Sequence, residues 1–79
     1  MTNLEKYDSA FTETFGIERG QLAGLKYQDI EAWDSVGHMS LTAALEEAFD
    51  IMMETDDILD LSSYEAGMKI LAEKYNVEF

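Results

Sequence analysis

The chain has 79 residues, enough for a single domain spanning residues 1–79 and close to the lower limit at which one core holds a fold without staples. It has no cysteine, which excludes disulfides and thiolate metal sites, so any thiol chemistry must come from an attached group. Seventeen acidic residues against five basic ones leave a net charge of -12, which excludes ordinary binding to nucleic-acid phosphates and favours partners with basic surfaces.

The basic residues are unevenly placed. Lys6, Arg19 and Lys26 come early and Lys69 and Lys74 late, so Tyr27 to Met68 holds no Lys or Arg. This acidic middle is either a solvated surface or a docking face. No apolar run is long enough to span a bilayer, and Met1 to Lys6 lacks the basic-then-apolar signature of a secretion signal. The expected location is the cytoplasm, with no membrane insertion.

Thr2-Asn3-Leu4-Glu5 fits a capping box, and Leu4, Tyr7, Phe11 and Phe15 then recur at steps of three and four. That pattern predicts an amphipathic first helix stopped by Gly16. From Gly16 to Asp34 the periodicity fails, which predicts a long loop packed by its own side chains, with a helical turn near Asp29 to Ala32 and Trp33 as its anchor.

After Ser35 the pattern resumes in a second helix. His38, Leu41, Ala44, Leu45, Ala48 and Phe49 share one face, and Met39, Thr42, Ala43, Glu46, Glu47 and Asp50 share the other. Met39 and Ala43 form a small apolar strip rimmed by carboxylates, which suits a partner with a basic rim, although single exposed apolar residues are also ordinary.

Thr55 is the expected cap of a short third helix with Asp56 and Asp57 in its first turn, docked through Ile58 or Leu59 and Leu61. Ser62-Ser63-Tyr64-Glu65 reads as a second capping box, opening a fourth helix through Tyr64, Met68, Leu71 and Tyr75 that ends near Asn76. Gly67 inside it costs about 1 kcal/mol relative to alanine, which suggests close packing there. No segment alternates with strand period. The expected architecture is an all-α four-helix bundle with three longer helices, one short third helix and a long first loop.

Asp34, Ser35 and His38 contain the components of a hydrolytic triad, but Ser35 and His38 sit three apart at one helix start, with no sign of an oriented base opposite an oxyanion site. No catalytic residue is assigned and no enzyme activity is expected. Asp50, Glu54, Asp56, Asp57 and Asp60 do not follow calcium-loop spacing, so no metal site is assigned, although pairs such as Glu46 and Asp50 suit loose divalent binding. Ser35 has two readings. As an N-cap it contributes about 1 kcal/mol, and as a modified serine it places a phosphate at the positive end of a helix.

Asp34-Ser35-Val36, preceded by a loop and followed by Leu41 and Ala44-Leu45-Glu46-Glu47-Ala48-Phe49, resembles the D-S-L motif and second helix of the acyl carrier protein family. The resemblance runs over essentially the whole chain, and length and acidity agree with it. It implies an acyl-carrier-type bundle in which Ser35, next to the motif residue Asp34, carries a covalent 4'-phosphopantetheine from coenzyme A, added by a phosphopantetheinyl transferase. The arm ends in a thiol that holds acyl groups as thioesters. Acyl-loading and acyl-processing enzymes with basic patches would dock on Met39, Ala43, Glu46, Glu47 and Asp56. An acyl chain would lie between the second and third helices, near Leu45, Met53, Ile58, Leu61 and Met68. A monomer is expected.

The chain also departs from that family. Gly37-His38 stands where fatty-acid carriers more often have an acidic residue, Ser40 where they usually have glutamate, and Met53-Glu54-Thr55 where they have isoleucine-proline. Less acid at the second helix points to a specialised carrier of lipid or secondary-metabolite synthesis rather than general fatty-acid biosynthesis. The alternatives are an aminoacyl, peptidyl or D-alanyl carrier, and an unmodified acidic helical module that only binds basic proteins.

Overall fold

The computed structural model describes all of residues 1–79. Its elements run α1 (Asn3–Phe15), a 3-10 turn (Arg19–Gln21), α2 (Ser35–Phe49), α3 (Thr55–Asp60) and α4 (Tyr64–Lys74). The protein is an all-helical bundle in which α3 is the short member, and the only bridge of strand type is an isolated one between Lys26 and Ser63. No helix is long and apolar enough to cross a membrane.

α1 begins and ends as its sequence predicts. The Glu5 amide donates to Thr2 Oγ1 at 3.1 Å and the Thr2 amide donates back to Glu5 Oε1 at 2.9 Å. Those bonds hold the Glu5 carboxyl below its usual range. At the other end Gly16 takes the left-handed conformation (φ 66) that releases the chain from the helix. Tyr7, Ala10, Phe11 and Phe15 are buried, whereas Leu4, at the end of the same stripe, stays 38% exposed.

The core is an aromatic column continued by leucines. Tyr7 and Phe11 lie 5.0 Å apart between ring centroids, Phe11 meets Trp33 edge-on at 5.6 Å, and Phe15 stacks on Trp33 at 5.4 Å. Leu41, Leu45, Leu61 and Leu71 complete it from α2, the α3 exit and α4. Rings of this size bury the largest apolar areas in the chain, which is how so short a sequence fills a core.

The long first loop is packed as expected, through Leu22, Leu25 and Trp33, but its helical turn is Arg19–Gln21 and not Asp29–Ala32. At Asp29 the side chain competes with helix formation: its Oδ2 accepts from the Lys26 amide at 2.9 Å, and Gln28 turns to positive φ. The loop is then stitched to the linker between α3 and α4, with the Tyr27 amide donating to Ser62 O and the Tyr64 amide to Leu25 O, both at 2.9 Å.

Two buried carboxylates fasten the ends of the bundle. Asp8 accepts Arg19 Nε and Nη2 at 3.1 and 2.8 Å on one oxygen and the Tyr64 hydroxyl on the other, while Tyr7 donates to Tyr64 O at 2.5 Å. Burial pushes the titration of both tyrosines above its ordinary range, with the Asp8 contact adding to the shift on Tyr64. Asp57 accepts Lys74 Nζ at 2.6 Å and the Tyr75 hydroxyl at 2.7 Å, tying α3 to α4.

The starts of α3 and α4 differ from expectation. Thr55 lies inside α3, and the cap position belongs to Glu54, whose amide is drawn to the Tyr75 hydroxyl at 2.8 Å. Ser63, not Ser62, caps α4 by accepting from the Ala66 amide at 2.9 Å, and Glu65 reaches the Gly24 amide instead of closing a box. Gly67 is packed as closely as predicted, since a Cβ there would collide with the Tyr7 hydroxyl and Leu61 Cδ1.

Candidate functional site

The first loop delivers the chain to α2 through Trp33, which is fully buried. Asp34 then adopts an extended conformation and its Oδ1 accepts from the Gly37 amide at 2.8 Å. The N-cap of α2 is therefore Asp34, and Ser35 is the first helical residue. Of the two readings of Ser35, this removes the one in which it caps the helix. The carboxylate one residue earlier takes the amide, favoured there by the helix dipole.

That substitution of roles frees the serine. Ser35 is exposed, and no group of the protein hydrogen-bonds its hydroxyl. Asp34 takes the Gly37 amide and the Asp34 carbonyl takes the His38 amide, which leaves the Ser35 and Val36 amides without helical partners at the positive end of a fifteen-residue helix. The exposed Ser35 hydroxyl leaves room for a substituent, and the helix dipole favours an anion at this end, against the opposing charge of Asp34.

Gly37 permits the approach of loop to helix. A Cβ on Gly37 would run into the Ala32 carbonyl and come within 3.3 Å of Phe15 Cε1, so only glycine lets the loop backbone lie across the first turn of α2.

His38 is half-buried and both its ring nitrogens are engaged. Trp33 Nε1 donates to Nδ1 at 2.9 Å, and Nε2 lies 2.8 Å from Ile58 O. An indole nitrogen only donates and a carbonyl only accepts, so the ring is neutral with its proton on Nε2. Neither nitrogen is left to take a proton from Ser35, and Asp34 accepts from the Gly37 amide and makes no bond to His38. The triad components are adjacent in sequence but are not assembled into a nucleophile and base.

The expected docking residues divide. Met39 (58% exposed), Ala43, Glu47 and Asp56 face solvent, whereas Glu46 is half-buried and its Oε2 accepts from the Met53 amide at 2.8 Å, holding the chain after α2. Thr42, placed on the polar face by periodicity, is buried, because its hydroxyl donates to His38 O at 2.9 Å and needs no water. Val36 (76% exposed) extends the strip to Ser35, giving an outer ridge of Val36, Met39, Ala43 and Glu47 at helical spacing with the free hydroxyl at one end. The spacing of Val36 to Met39 is the signal that could have found it. On α3, Leu59 is 73% exposed.

The five expected pocket residues do not line one cavity. Leu45, Met53 and Leu61 are packed in the core, and Ile58 and Met68 are half-buried against it. The cleft that the junction residue His38 lines holds about 210 Å³ and is shared with Tyr27, Leu59, Leu61 and Ser62, so only Leu61 of the five reaches it. Larger open depressions lie between α1 and α2 (about 440 Å³) and beside α4 (about 500 Å³), and neither is lined by a residue of the junction. No side-chain cluster has the makings of a metal site.

No protein-family model matches the chain, and no characterised protein or solved structure matches it. The functional reading therefore rests on the junction and the helices around it.

Proposed function

We propose that the chain is a carrier protein of acyl-carrier type. Its Ser35 hydroxyl is the attachment point of a 4'-phosphopantetheine arm, and the exposed ridge of α2 presents that arm to partner enzymes of lipid or secondary-metabolite synthesis. One observation supports this reading most: Asp34 takes over the capping of α2, so an exposed serine hydroxyl stands at a helix start with no structural bond to lose. A serine kept there for stability alone would be the cap.

The remaining residues fall into consistent roles. When bound, the arm supplies a terminal thiol on which an acyl group is held as a thioester, which this cysteine-free chain has no means of supplying itself. Because no side chain hydrogen-bonds the Ser35 hydroxyl and both His38 nitrogens are engaged elsewhere, the base that activates Ser35 comes from the transferase. Val36, Met39 and Ala43 give that enzyme an apolar seat, and Glu47 and Asp56 give it charges to pair with basic side chains, steering encounter more than adding affinity.

Incubation with coenzyme A and a broad-specificity phosphopantetheinyl transferase, read by intact mass, tests the proposal. The wild type should gain one phosphopantetheine and Ser35→Ala none. No gain on the wild type, or an equal gain on Ser35→Ala, refutes it.

A further inference from the structure

α3 is held to the bundle unevenly. Its first half is tied to α4, through Asp57 with Lys74 and Tyr75 and through the Glu54 amide on the Tyr75 hydroxyl. Its second half carries the exposed Leu59 and the half-buried Ile58, and its last internal bond, from the Leu61 amide to Ile58 O, is long at 3.4 Å. A helix of six residues has little stability of its own. On the α2 side the polar tie to this half is the His38 ring, whose Nε2–H donates to Ile58 O.

Within the chain's own helix end that carbonyl has only the long bond from the Leu61 amide, and a histidine from another helix supplies the shorter one. The same ring is held by the Trp33 indole, which donates to Nδ1 and lies nearly parallel to it with an interplanar angle of 13°, and it meets Tyr27 edge-on. His38 therefore joins the buried anchor of the first loop to the end of α3, and it forms one wall of the cleft of about 210 Å³. Residues three apart on a helix are neighbours, so His38, which lines the cleft, sits one turn from Ser35.

Building on the carrier reading, we propose that His38 is a latch that closes α3 over this cleft. With the latch made, the cleft admits only a short apolar group from the Ser35 arm, because it is smaller than the roughly 300–1,000 Å³ of sites that enclose larger ligands. A long acyl chain enters only when Nε2–H leaves Ile58 O and the second half of α3 swings out, while the Asp57 tie holds the first half as a pivot. His38 acts as a positioning residue: it sets the length of group the site encloses and does not touch the thioester.

The latch is tested first on the unmodified protein by amide hydrogen exchange at Ile58 and Leu61, in the wild type, His38→Leu and His38→Gln. Glutamine keeps a donor of similar reach for Ile58 O but offers no ring to Trp33. Losing the bond should speed exchange about tenfold in His38→Leu, while His38→Gln stays within about threefold of the wild type. Unchanged exchange in His38→Leu, or equal acceleration in both variants, overturns the latch.

The second test loads Ser35 from acetyl- and dodecanoyl-coenzyme A and follows the His38 ring nitrogens by NMR. Dodecanoyl loading should shift Nε2 as its bond to Ile58 O breaks, and acetyl loading should not. No shift with dodecanoyl, or the same shift with both, overturns length selection. Absence of any mass gain at Ser35 instead overturns the carrier reading together with its cargo, while the exchange result judges the latch.

Discussion

Replacing Gly37 with alanine sets two effects of known sign against each other. In an open helix the change favours folding by about 1 kcal/mol through backbone propensity. Here the new Cβ would penetrate the Ala32 carbonyl oxygen and approach the Ala32 carbonyl carbon to 3.0 Å and Phe15 Cε1 to 3.3 Å. A carbonyl in a loop pinned by the buried Trp33 cannot rotate away as a flexible side chain can, so the loop must lift. Overpacking of this kind costs about 1–3 kcal/mol and more when backbone is forced to move, so the upper part of that range applies and the net loss is about 1–2 kcal/mol. For a domain of this size that is a fall in Tm of about 4–16 °C. Thermal unfolding followed by circular dichroism gives the shift, and Trp33, the only tryptophan, reports loop lifting by red-shifted emission in the folded baseline. Gly20→Ala is the control, because a Cβ there meets nothing and φ is not positive, so Tm should hold or rise. A Gly37→Ala protein that is more stable than wild type, or one with unchanged Trp33 emission and Tm, would refute the reasoning.

Further predictions concern the junction and the buried charges. Asp34→Ala should lose about 1 kcal/mol as a helix cap is removed, whereas Ser35→Ala should stay within about 0.5 kcal/mol of wild type; urea midpoints that reverse this order would return the cap to Ser35. Glu47→Lys should slow arm attachment at low salt without moving Tm, while Glu46→Lys should also lower Tm by releasing the Met53 amide, and equal Tm values for the two would remove the structural role of Glu46. The Lys74 and Tyr75 contacts hold the Asp57 carboxyl below its ordinary range, so its stabilisation is present above the unfolded value of about 3.9 and lost as pH falls through the lower folded value. Asp57→Asn should therefore be less stable than wild type at neutral pH, and the gap should narrow below about pH 4; a gap that is constant with pH would mean the ion pair contributes nothing.

Local periodicity made α1, α2 and α4 legible in the sequence, because an apolar repeat near 3.6 residues needs no knowledge of the partner. The Thr2 capping box was legible for the same reason: all its atoms lie within four residues. The caps of the other helices were not. Asp34 and Ser35, Glu54 and Thr55, and Ser62 and Ser63 are adjacent polar residues, and which of them caps is decided by where the incoming chain is held, by Trp33, Tyr75 and the Lys26–Ser63 bridge respectively. The burial of Thr42 and the half-burial of Glu46 were hidden because periodicity counts polarity and cannot see a side chain satisfied by its own backbone or by a loop.

The sequence by itself determined an acidic, cysteine-free chain of helices with a serine at the start of the second and no cation from Tyr27 to Met68. Tertiary structure decided what surrounds that serine. Asp8 with Arg19 and Tyr64, Asp57 with Lys74 and Tyr75, and His38 between Trp33 and Ile58 mostly join residues far apart in sequence, and they set how the first loop and α3 lie against α2. Such contacts depend on the packing of whole helices, so no local pattern encodes them. They are the reason His38 is engaged, while the local bond from the Gly37 amide to Asp34 leaves the Ser35 hydroxyl free.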